Sequence, residues 1–150
     1  MIRNLERSDY DQVVLKLIEF TKQTGIDSNV YSEPDITHVK NIILRCHKSG
    51  VCLVAFNKQQ ELIGILLSCR VKDIWFPEII RLYEMIWWVD VEYRKKTTAA
   101  RLLKEYQKQA RILMEKGQIV SYTIGKSRKT DIDLEKHGFK HFESVYVFGE

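Results

Sequence analysis

Three apolar runs at strand spacing lie in succession between residues 51 and 89, and helical spacing governs the chain on either side of them. Adjacent strands can be joined by a tight turn. A helix placed between two strands forces a crossover instead, so this order of periods restricts the topology severely. Upstream, a short strand over 2–5 precedes Ser8 and Asp9, either of which suits a helix N-cap. Val13, Val14, Leu17, Ile18 and Phe20 then recur at helical spacing up to Gly25, a natural stop. After a polar connector over 27–34, Ile36, Val39, Ile42, Ile43 and Cys46 form a second helical stripe that ends near Gly50.

In the middle, 51–56 reads as a strand, Asn57-Lys58-Gln59-Gln60 as a hairpin turn, and 62–71 and 79–89 as further strands around a loop holding Pro77. From Thr98 the helical period returns. Leu102, Leu103, Tyr106, Ala110, Leu113 and Met114 share one face, Lys104, Gln107, Lys108 and Arg111 take the other, and Gly117 closes the segment. A strand over 119–124, a short helix over 130–137 and a last β segment over 139–148 complete the chain. The predicted order is β-α-α-β-β-β-α-β-α-β, a mixed α/β arrangement that excludes a helical bundle and a β-sandwich. No repeat or Pro/Gly/Ser linker divides it, so one domain over 1–150 is expected.

Composition narrows the function classes. The net charge is +4, too small an excess for a dedicated nucleic-acid binder, although Arg94-Lys95-Lys96 and the cluster from Lys126 to Lys129 suit a small polyanion. Cys46, Cys52 and Cys69 form no CxxC pair, and the four histidines form no HxxxH helix pair, so neither a metal site nor a disulfide framework is expected. Scattered thiols fit a reducing cytoplasm. There is no signal segment, and no apolar stretch is long enough to span a bilayer.

The segment 84–103 carries the strongest motif. Val89 and Val91 end a strand, Arg94, Thr97 and Ala99 occupy successive loop positions, and an amphipathic helix follows. This resembles the acetyl-CoA motif of the GNAT acetyltransferase family, whose loop reads Arg/Gln-x-x-Gly-x-Gly/Ala. Gly138-Phe139-Lys140 with Tyr146 resembles that family's terminal strand, and the Trp87-Trp88 pair is most like small bacteriophage members. The order of elements matches over nearly the whole chain. The resemblance implies the acyl-CoA acyltransferase fold, a central mixed and mainly antiparallel sheet flanked by helices. It also implies acetyl-CoA as co-substrate, with no metal.

On that resemblance the pyrophosphate lies at the N-terminus of the helix, where unpaired N–H groups and the dipole favour an anion. Arg94, Lys95 and Lys96 supply charge, Thr97 or Thr98 caps the helix and offers a hydroxyl, and Ala99 is small enough for close approach. Backbone groups near Trp88, Val89 and Val91 pair with the pantetheine arm, and N–H groups near Trp88 and Val89 hold the oxyanion. Thr97 departs from the pattern by placing a branched side chain where glycine is usual. The alternative reading of Arg94 to Lys96 is a solvated charge run at a helix start.

Transfer to an amine needs a proton acceptor, and Glu84 takes the position resembling the family's base. Strict alternation puts it on the face of Ile80, Leu82, Ile86 and Trp88, where an apolar setting raises a carboxyl pKa. The other reading is an ion pair with a basic residue on an adjacent strand. The family's usual acid position is Leu134, so protonation of the thiolate passes to Tyr122, Ser121, Tyr146 or water; Tyr122 also reads as an ordinary strand aromatic. In the connector, Asp27 and Glu33 suit a cationic amine with Tyr31 packed on it, and a plain polar loop is the alternative.

Three functions follow: an N-acetyltransferase working by direct attack in a ternary complex on a small-molecule or protein amine, a GNAT-fold binding module without turnover, or a nucleic-acid-interacting protein. An open sheet edge would also allow a homodimer.

Overall fold

The computed structural model describes residues 1–24, 34–94, 97–125 and 132–142. Its five-stranded sheet runs in the order β1 (Ile2–Asn4), β2 (Cys52–Phe56), β3 (Leu62–Lys72), β4 (Ile80–Val89) and β5 (Ser121–Tyr122). The first four strands are antiparallel neighbours, and β5 joins β4 in parallel. Helices α1 (Tyr10–Thr24) and α2 (Ile36–Ser49) cover one face, a four-residue turn α3 (Val91–Arg94) follows β4, and α4 (Thr98–Glu115) makes the crossover to β5. No helix among the described residues is long and apolar enough to cross a membrane.

Two cores result. Val13, Val14 and Leu17 of α1 and Ile43 and Cys46 of α2 pack on Val54, Ile65, Leu67 and Trp88. On the other face Leu102, Tyr106 and Ala110 of α4 pack on Leu53, Leu66, Leu82 and Val89. The α4 stripe follows the predicted spacing with two corrections. Met114 is 40% exposed. Gln107, assigned to the polar face, is buried because its Nε2 donates to the His137 carbonyl at 2.8 Å and ties down the 3₁₀ turn at Glu135–His137.

Other boundaries shift as well. Asp9 is no simple helix cap. It is buried, accepts two bonds from the Arg3 guanidinium at 2.7 and 2.8 Å, and also takes the Glu6 N–H. The strand expected over 119–124 is reduced to Ser121–Tyr122, because only Arg81 and Leu82 of β4 pair with it. Residues 132–134 are not helical and 139–142 form no strand; 130, 131 and 143–148 lie outside the described residues. The three cysteines, scattered in sequence, come together in the first core, all buried and free.

At the β3–β4 hairpin tip, Asp73 Oδ1 accepts the N–H groups of Trp75 and Phe76 at 2.9 and 3.2 Å. Its Oδ2 pairs with Arg81 at 3.3 Å. The tip therefore holds Ile74 (85% exposed) and Trp75 (80% exposed) outward on a fixed turn.

The Arg3–Asp9 pair gives a stability prediction. The Arg3 bonds hold the Asp9 carboxyl below its usual 3.8. A depressed carboxyl contributes stability above its unfolded value, and that contribution disappears as pH falls through the folded one. Asp9→Ala strands the guanidinium and the Glu6 N–H and is expected to lower unfolding free energy by about 2 kcal/mol at pH 7. Urea titrations at pH 7 and pH 2.5 check this, since the difference should shrink at the lower pH.

Candidate active site

The register of β4 against β3 slips once. Leu67 faces Ile86 while Ser68 faces Glu84, so Met85 is an extra residue, a β-bulge. Upstream of the bulge Leu82 points to the α4 core; downstream the phase inverts, and Trp87 and Val89 take that face. Ile86 and Trp88 face α1 and α2 instead. This corrects strict alternation. Glu84 shares its side of the sheet with Leu82, Trp87 and Val89, not with Ile86 and Trp88, because the inserted residue reverses every position after it.

Glu84 sits where β4 and β5 part. Thr123 N–H donates to the Leu82 carbonyl at 2.9 Å, the last backbone bond between these segments among the described residues. Beyond it the Glu84 side chain spans the opening, and its Oε2 accepts the Gly125 N–H at 2.8 Å. Burial pushes the carboxyl up from 4.5 to about 7, opposed by the Gly125 bond. Among the described residues no basic side chain pairs with it.

The acid candidates fare unevenly. Tyr122 stacks edge-on between Tyr106 and Phe139, at 5.8 and 5.5 Å between ring centroids, as a strand aromatic does. The Ser121 hydroxyl accepts from Arg81 at 3.2 Å. Tyr106 is fully buried, donates to the Thr123 carbonyl at 3.0 Å, and has its phenol pushed up by burial and by nearby Glu84. Tyr146 lies outside the described residues.

At the expected phosphate loop, β4 ends at Val89, and Val91 opens α3 rather than continuing the strand. This corrects its assignment as a strand residue for the pantetheine arm. The reason is local: Asp90 accepts the Tyr93 N–H through its carbonyl at 2.8 Å and turns the chain. Arg94 Nε donates to the Val89 carbonyl at 2.8 Å, fastening the turn to the strand end. Thr97 precedes α4 with φ −75° and ψ −1° and makes no side-chain capping bond, so the expected cap is absent there. Thr98 and Ala99 begin α4, both half-buried. Lys95 and Lys96 lie outside the described residues. Because Thr97 leaves the first-turn amides of an 18-residue helix uncapped by its hydroxyl, the site fits an anionic group at this end.

Trp88 is 3% exposed, under the Lys16 ammonium at 5.5 Å from its ring centroid, so its indole belongs to the core and only its backbone is available to a cofactor. Lys16 is held in turn by Asp90 at 3.3 Å and Glu19 at 3.1 Å. On the α1/α2 side a cavity of about 250 Å³ is lined by Leu17, Phe20, Val39, Ile42 and Ile86. Asp27, Tyr31 and Glu33 lie outside the described residues.

Burial pushes the Cys46 thiol up to about 11 and the Cys52 thiol up to about 12. No group of three or more His, Cys, Asp or Glu among the described residues is arranged to hold a metal ion. Sequence reasoning missed the bulge, α3 and Gly125; of these, only Gly125 carried a signal, a glycine just past a short strand.

No family model matches the sequence, and no curated protein does. Solved structures do align over the chain. A GNAT family acetyltransferase from Staphylococcus aureus is 14% identical, covering 100% of this chain and 98% of its own, with a TM-score of 0.64. An acetyltransferase from Trypanosoma brucei is 18% identical over 100% and 99%, with a TM-score of 0.69. A predicted acetyltransferase from Clostridium acetobutylicum, solved with acetyl-CoA, is 12% identical over 99% and 95%, with a TM-score of 0.74. An aminoglycoside acetyltransferase from an uncultured soil sample is 16% identical over 100% and 96%, with a TM-score of 0.68. Given this full-length likeness, the sheet that parts between β4 and β5, with its crossover helix, is the fold of the GNAT acetyltransferases.

Proposed function

We propose that this chain transfers an acetyl group from acetyl-CoA to a primary amine. The carrying observation is Glu84, a carboxyl raised to about 7 at the point where β4 and β5 stop pairing. A half-buried carboxyl that ionises near neutrality is suited to take the proton that an attacking amine sheds. The β5-side edge of β4 past Leu82, which pairs with no strand among the described residues, suits an extended pantetheine arm added alongside it, and the first turn of α4, which the Thr97 hydroxyl does not cap, suits the pyrophosphate. Acetyl-CoA, when bound, supplies the activated acyl thioester. Glu84 then holds the proton, and Arg94, anchored on Val89, shapes the turn beside the phosphates.

Direct attack in a ternary complex is supported by the burial of Cys46, Cys52 and Cys69, which leaves none of these thiols exposed to form an acyl-enzyme. Isothermal calorimetry is expected to show acetyl-CoA binding with micromolar affinity. Thiol release against a panel of primary amines should then report transfer. Absence of any acetyl-CoA heat would remove the reading.

A further inference from the structure

We infer that Gly125 is a positioning residue for the Glu84 carboxylate, its backbone amide holding Oε2 and its lack of a side chain leaving that oxygen undisturbed. The inference rests on the proposed role of Glu84 and extends it to a residue in another strand segment.

Three observations converge. The Gly125 N–H donates to Glu84 Oε2 at 2.8 Å across the opening between the parted strands. A Cβ built on Gly125 would stand 2.9 Å from that same oxygen, with no other atom of the described residues within 4 Å. The third concerns what does not demand glycine. The positive-φ glycines among the described residues are Gly117 and Gly138, so no left-handed conformation imposes the residue at 125. Position 125 is also exposed, so no core packing imposes it. What a Cβ at 125 would disturb is therefore the carboxylate itself, the movable end of the Glu84 side chain.

The donor is itself held in place. Thr123, two residues earlier, is fixed from both sides: its N–H goes to the Leu82 carbonyl at 2.9 Å and its carbonyl takes the Tyr106 hydroxyl at 3.0 Å. Tyr106 is fully buried on α4. The crossover helix thus sets the end of β5, the end of β5 sets the Gly125 amide, and the amide sets one carboxylate oxygen. A fixed Oε2 leaves Oε1 as the oxygen that takes the proton from the acceptor.

The test reads the hydrogen bond first and catalysis second. In the ¹H–¹⁵N spectrum of the wild type, the Gly125 amide is expected to move downfield as Glu84 ionises, with a midpoint near the carboxyl's value of about 7. The Glu84→Gln spectrum should show no such movement. A Gly125 amide that does not titrate in the wild type overturns the inference, whether or not the protein transfers acetyl groups. Gly125→Ala should then keep its melting temperature and its acetyl-CoA KM while kcat falls about tenfold or more, because the added methyl displaces the base and not the cofactor. Gly125→Pro, which deletes the donor, should move the rising limb of kcat to higher pH. If transfer is measurable and Glu84→Gln abolishes it, but both Gly125 variants keep wild-type kcat and pH profile, Gly125 has no positioning role and the acetyltransferase reading stands alone.

Discussion

Replacing Glu84 by Gln is expected to lower kcat for acetyl transfer by about 10²–10⁴-fold, the usual contribution of a positioned proton acceptor. The wild-type rate should climb as pH rises through about 7, where the carboxyl ionises, and the variant should lose that limb. Calorimetric affinity for acetyl-CoA should be unchanged, since the amide fits the same space. Stability moves in the opposite sense. The folded value lies above the unfolded 4.5, so the folded state binds the extra proton, and its advantage is complete below 4.5 and lost as pH rises through about 7. Above pH 8 an ionised, half-buried carboxylate is a liability of up to about 3 kcal/mol, which the neutral amide removes. Glu84→Gln should therefore melt later than the wild type at pH 8.5 and nearly together with it at pH 4. A variant that is both inactive and less stable at high pH would contradict the assignment.

The second large effect is expected at Gly50. The residue caps α2, with its N–H on the Cys46 carbonyl, and lies flat against β3. A Cβ there would stand 1.8 Å from the Ser68 carbonyl oxygen, 2.5 Å from its carbon and 2.9 Å from Cys69 Cα. All three atoms are backbone, so no rotamer change gives relief. Ser68 is pinned as well, since its fully buried hydroxyl donates to the Val51 carbonyl at 2.7 Å and accepts the Val51 N–H at 3.0 Å. Gly50→Ala must push α2 off the sheet or break the β2–β3 register, at a cost of about 3 kcal/mol or more. Urea unfolding should show a lower midpoint with an unchanged slope.

The helices and antiparallel strands were legible because each buries one face, and burial writes its period into the sequence. Leu102, Leu103, Tyr106 and Ala110 illustrate this, all fully buried as their spacing requires. The bulge at Met85 was not legible, since an inserted residue leaves a run such as Tyr83-Glu84-Met85-Ile86-Trp87 uniformly mixed whichever phase it follows. Glu84 could be singled out as a carboxyl in an apolar strand. Its partner could not, because a backbone amide 41 positions away has no side-chain signature. Gln107 misled for a related reason: its amide is buried to satisfy a carbonyl in a turn that only the tertiary fold brings near. Clustering of Cys46, Cys52 and Cys69 likewise depends on pairing distant segments, to which local spacing is blind.

The Asp73 tether at the β3–β4 tip has a consequence for how the molecule behaves in bulk. A loose loop can fold its apolar residues back against the body, but this one is locked by its own carboxylate and presents Ile74, Trp75 and Phe76 to water in every folded copy. Ile74, Trp75 and Phe76 therefore give the surface a small adhesive point, set against the +4 charge that keeps copies apart.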